Sequence, residues 1–186
     1  MIRSALALKL HCYEDTGAII AAITSIPELA GRAGGTWDYR YCWLRHAYYV
    51  LNAFGLLGQF EEREQFVQYL LNVAGGAPGP NLAPLYRVDG SQSLKESILD
   101  HWPGYNGEQP VRTGNAAATH LQHDTYGELV LALTPIFLDE RMSAERSPAA
   151  LQLIEGLARR AVSLAGVPDA GIWEYRTNGN RRLSLV

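Results

Sequence analysis

Four stretches in which apolar residues return every three or four positions, separated by long Gly- and Pro-rich segments, constrain this chain most strongly. Residues 41–58 (YCWLRHAYYVLNAFGLLG) place Leu44, Tyr48, Leu51 and Phe54 or Gly55 on one stripe, with Gly58 as terminator. Residues 61–76 open with acids, end in Gly-Gly and carry Phe66, Tyr69, Leu70 and Val73 on one face, as helix dipole and cap preferences favour. A third helix is expected over 116–139, with Leu121, Leu129, Leu133 and Phe137 inward and a kink at Pro135. A fourth is expected over 147–165, where Ser147-Pro148 forms the cap and Leu151, Ile154, Ala158, Ala161 and Ala165 the stripe. Strand signals are thin, so the expected fold class is all-α.

The intervening segments, 75–90, 100–115 and 166–180, are long for a compact helical domain, which points to a working rim on a helical scaffold. With 186 residues, 47% of them hydrophobic and 19% charged, the chain has the composition of one core-forming unit rather than of a disordered segment. A net charge of −3 argues against a general nucleic-acid binder. Two Lys against fourteen Arg favour fixed hydrogen-bonding forks over a diffuse cationic surface. Cys12 and Cys42 are too few for a disulfide framework, so a reducing compartment is expected, with a single bridge left open. No apolar run is long enough for a membrane span, and Lys9 and His11 interrupt the opening stretch, so neither membrane nor signal peptide is expected and the chain is placed in the cytoplasm.

Three constellations carry chemistry. Residues 36–46, TWDYRYCWLRH, hold four aromatics and two Arg. Aromatic faces stack on the apolar faces of sugar rings while Arg and Asp bond hydroxyls, so the run suits a neutral polyol in a concave site. It equally suits an aromatic packing cluster with snorkelled Arg. In DAGIWEYR (169–176), Glu174 lies between two aromatics, which would desolvate it and raise its pKa toward a general acid's range. The plainer alternative is a loop Glu paired with Arg176. Finally, His120, His123 and Asp124 have helical spacing, but no fourth strong ligand follows and the HExxH base is missing, so a polar helix face is expected rather than a metal site. There is no phosphate-binding glycine motif and no GxSxG elbow, and no cofactor is expected.

The segments SIPE (25–28), TWDYRYCWLR (36–45), PLYRVDG (84–90), GYNGEQPVRTGN (104–115), QHDTYGE (122–128) and PDAGIWEYR (168–176) occur in this order. Together they resemble the catalytic domain of glycoside hydrolase family 15, the glucoamylase- and trehalase-like enzymes. The resemblance implies part of an (α/α)6 toroid, with a leading segment 1–35, half of the helical barrel over 36–176 and a divergent tail 177–186. It also implies inverting hydrolysis of α-glucosidic bonds, with an α-glucoside or oligosaccharide as partner. Carried over by position, Glu174 is the general acid and Trp173 lines the subsite of the cleaved sugar. Tyr39 stabilises positive charge on the ring, Trp43 and Arg45 contact the terminal glucose, and Arg112 and Asn115 face the same pocket.

Three departures qualify the resemblance. His46 stands where the family has an Asp that binds sugar hydroxyls, and a neutral imidazole does not replace both of its acceptor sites. The family's leading β-sandwich is not matched. NGNRRLSLV does not follow the family pattern, and the general base falls in the part of the family beyond it. The expectation is therefore a truncated form with reduced or no activity, prone to self-association through uncovered helix faces. The alternative is a carbohydrate- or partner-binding helical module without catalysis, or a gene remnant that does not fold as a soluble monomer.

Overall fold

Helix α3 (Phe60–Gly75) shows how the expected stripes become a core. Phe66, Tyr69, Leu70 and Val73 are all buried, and Glu61 and Glu62 occupy the first turn, where the helix dipole favours negative charge. In the computed structural model, which describes residues 2–27, 36–76, 81–172 and 174, α3 joins α2 (Ala47–Leu57) through Gly58 and Gln59. Gly58 has a φ of 71°, the left-handed geometry that lets a helix end abruptly, and so brief a link makes α2 and α3 an antiparallel hairpin.

The remaining helices are α1 (Ile2–Leu10), α4 (Asp124–Leu133), α5 (Pro135–Leu138) and α6 (Pro148–Leu164). Among the described residues, three two-stranded antiparallel ribbons decorate them: β1 (Ser25–Pro27) with β2 (Thr36–Asp38), β3 (Cys42–Trp43) with β4 (Leu85–Tyr86), and β5 (Ser97–Ile98) with β6 (Arg112–Thr113). Helix α4 packs against both α2 and α6, so the main core lies between these helices and α3. Leu44, Leu51, Phe54, Leu70, Leu129, Leu133 and Ile136 form its buried centre, each contributing roughly 1.5–3 kcal/mol by burial. A second, smaller cluster of Tyr41, Trp43, Leu85, Leu94 and Ala117 sits beneath the ribbons. Among the described residues no helix is long and apolar enough to cross a membrane.

Several expectations need correction. The helix expected over 41–58 begins only at Ala47, after a 3-10 turn over Leu44–His46, because Cys42 and Trp43 pair with Tyr86 and Leu85 instead. That pairing is non-local and leaves no mark on the local periodicity. The helix expected over 116–139 is a 3-10 turn (Ala116–Thr119), then α4, then α5, with Pro135 opening a new helix rather than bending one. Leu121 lies outside α4 and is exposed. In α6, Ser147 does cap the helix, its hydroxyl accepting from the Ala150 N–H at 3.0 Å, but Leu151 faces solvent. The inward face there is Ala150, Leu153, Ile154, Leu157, Ala161 and Leu164. Helix α1 had no counterpart among the expected helices, and it buries none of its residues.

Candidate active site

Asp38 is the anchor from which the site is built. It is 1% exposed, and its carboxylate accepts from Arg40 Nε at 2.8 Å, Arg40 Nη2 at 2.9 Å, Tyr41 Oη at 2.8 Å and the Gly114 N–H at 3.2 Å. Gly114 has a φ of 75°, and a Cβ there would overlap the Lys95 carbonyl, so only glycine brings its N–H to this carboxylate. Burial pushes the Asp38 carboxyl up, but the hydrogen bonds from Arg40 and Tyr41 and the Arg40 charge outweigh it and hold the group below its ordinary pKa.

Asn115 and Arg112 belong to this frame. Asn115 is buried, donates from Nδ2 to the Asp38 carbonyl at 3.1 Å, and accepts at Oδ1 from the Ala117 N–H at 3.0 Å, capping the 3-10 turn. Arg112 lies 3.8 Å above the Trp37 ring, with its Nε 3.5 Å from Glu96 Oε1. Both residues, expected to face the pocket, have partners within the protein that lock the loop beside it.

The frame aims the next residues at one carboxylate. Glu174 Oε1 accepts from Trp43 Nε1 at 2.9 Å, Arg45 Nη2 at 3.1 Å and Gln122 Nε2 at 2.7 Å. Arg45 Nη1 in turn donates to Gln122 Oε1. Trp43 is only 3% exposed, held by the β3–β4 ribbon, and the Tyr39 ring lies over it at 5.5 Å between centroids with a 36° tilt. Glu174 itself has a φ of 49°, a left-handed conformation costing a non-glycine residue about 1 kcal/mol or more. The turn leading to it is braced by Asp169, which accepts from the Gly171 and His123 N–H groups at 2.9 and 2.6 Å.

His46 follows Arg45 and is exposed at the rim. Partial removal of water by its surroundings, then the Arg45 charge, push its imidazole below the ordinary pKa, with Glu174 pulling the other way. Trp173 lies outside the described residues. Asp124 Oδ2 is 3.9 Å from Arg45 Nη1, and burial raises the Asp124 carboxyl against that cation. Glu128, one turn further along α4, is likewise raised by burial and then by Asp124. Among the described residues no group of three or more His, Cys, Asp and Glu could hold a metal ion.

Sequence reasoning brought together Tyr39, Trp43, Arg45 and Glu174, and the geometry joins these four. It missed Gln122, a neutral amide whose only signal was its place in QHDTYGE, and Asp124 as a neighbour of Arg45. The site is thus one carboxylate ringed by indole, guanidinium and amide donors on a helical scaffold, a few convergent polar groups of the kind that fix a ligand's orientation.

The glycosyl hydrolases family 15 model matches residues 1–186, and the chain belongs to that family. It is therefore all-α, its helices forming part of an (α/α)6 toroid. It is 36% identical over 178 residues to a trehalase of Thermoplasma acidophilum, covering 95% of this chain and 29% of the relative. A trehalase of Mycolicibacterium smegmatis is 38% identical, covering 94% of this chain and 26% of the relative. Trehalase 1 of Sulfolobus acidocaldarius is 34% identical over 167 residues. The chain thus spans between a quarter and a third of the length of these curated relatives. No solved structure matches it.

Proposed function

We propose that the Trp43–Arg45–Gln122–Glu174 cluster is the acid half of an inverting α-glucosidase site, with trehalose or another α-glucoside as substrate. The observation that carries this reading is the convergence on Glu174 Oε1 of three donors from two distant segments, Trp43 and Arg45 in one and Gln122 in the other. Glu174 protonates the glycosidic oxygen as the bond to the anomeric carbon breaks. Tyr39 presents its ring to the positive charge that develops on the sugar, a cation–π type of stabilisation. Arg45 and His46 at the rim meet the hydroxyls of the terminal glucose. Arg112 and Asn115 support this pocket through the loop they lock.

Inversion also needs a carboxylate about 6.5–9.5 Å from the acid to activate water. The resemblance assigns no residue of this chain to that role, and loss of a general base typically costs about 10²–10⁴ in rate. We therefore expect the 186 residues alone to bind α-glucosides and to hydrolyse them slowly or not at all.

Incubation with trehalose and maltooligosaccharides, followed by glucose assay, tests the assignment. Any release is expected to fall to the buffer level in Glu174→Gln. Release that persists undiminished in that variant overturns Glu174 as the acid. Saturable binding without hydrolysis, lost in Trp43→Ala, supports the sugar site and identifies the chain by itself as a binding module.

A further inference from the structure

Gln122 is 3% exposed and sits between the two charged members of the site. Its amide can be oriented in only one way. A guanidinium donates and never accepts, so the Gln122 oxygen faces Arg45 and the NH2 group faces Glu174. Arg45 reaches Glu174 directly as well, so the three side chains close a ring of hydrogen bonds. A carboxylate oxygen offers about two lone-pair sites. Trp43, Arg45 and Gln122 already aim three donors at Oε1, so a proton has no place on that atom.

We propose that Gln122 is a positioning residue that, with Arg45, turns the Glu174 carboxyl so that Oε2 is the oxygen carrying and donating the proton. The inference rests on the reading of Glu174 as the acid. In the transfer, the O–H bond at Oε2 breaks as a new O–H bond forms on the glycosidic oxygen, and the carboxylate left behind keeps its charge against Arg45. Gln122 touches neither the substrate nor the proton. It acts through Glu174.

The Trp43 indole N–H, bonded to the same Oε1, reports on this arrangement by NMR without any turnover. Its resonance among the four tryptophans is assigned by its loss in Trp43→Phe. Gln122→Met keeps the side-chain bulk and removes both bonds; the expected result is an upfield move of the Trp43 indole proton as Glu174 swings free. Gln122→Glu adds a carboxyl of the same shape, and two carboxyl groups this close take up their first proton at a raised pH. Above that step the Trp43 resonance is expected to depart from its wild-type position, and after it, with one O–H restored as donor to Glu174, to return. A Trp43 resonance unmoved in Gln122→Met, or a Gln122→Glu spectrum displaced equally at every pH, overturns the proposal. Should Gln122→Met fail to fold, the pH response of Gln122→Glu decides alone. Sugar hydrolysis does not enter this readout, so the positioning role and the glycosidase reading fail separately.

Discussion

Glu174→Gln keeps the shape of the side chain and removes its proton, and any α-glucoside turnover should drop by roughly 10²–10⁴ with substrate affinity largely retained. Asp38 carries a different pH signature. Its folded-state pKa lies below the ordinary value of 3.8, so its bonds to Arg40, Tyr41 and Gly114 add stability above that value, and the contribution disappears as pH falls further. Acid unfolding monitored by circular dichroism should show this loss in the wild type, and Asp38→Asn should be destabilised at neutral pH but less so in acid. Cys42 is fully buried, and burial pushes its thiol up to about 12. A disulfide reagent at pH 8 should leave it unlabelled in the native chain and modify it once the chain is denatured.

Helix α6 depends on its first turn. Ser147→Ala removes the acceptor for the Ala150 N–H and should lower stability by about 1 kcal/mol, read as a reduced thermal midpoint. On α4, Glu128 is an acid whose pKa burial raises above 4.5, so its ionisation costs stability as pH climbs through that range. Glu128→Gln should therefore raise the thermal midpoint at pH 7 and have little effect at pH 4. These elements also mark how far the sequence could be read. Helix α3 was legible from its stripe, Phe66 through Val73, and α6 from its Ser147-Pro148 cap, although the stripe expected for α6 placed Leu151 inward. The start of α2 was not, since Cys42 and Trp43 answer to Leu85 and Tyr86, some forty residues away in sequence. Helix α1 escaped notice because Ile2, Leu6 and Leu10 face solvent and define no core stripe. At the site, aromatics and charges advertised Trp43, Arg45 and Glu174, whereas Gln122 works through two amide hydrogen bonds that composition and periodicity do not register.

At the scale of the whole molecule, apolar side chains are left open on several helices: Ile2 and Leu10 on α1, Leu56 on α2, Leu138 on α5 and Val162 on α6 are each at least 70% exposed. Sedimentation velocity over a range of concentrations should show the 186 residues associating, and polar substitution of Leu56 and Val162 should weaken that association. The proposed sugar site is nevertheless internal to the chain, because Tyr39, Trp43, Arg45, Gln122 and Glu174 are assembled from segments it contains. Titration of α- and β-linked glucose disaccharides against the Trp43 indole resonance tests this most directly. Trehalose or maltose should displace the signal saturably while cellobiose leaves it in place, and the response should vanish in Arg45→Ala. No displacement by any α-glucoside, or an equal one by cellobiose, would contradict the account.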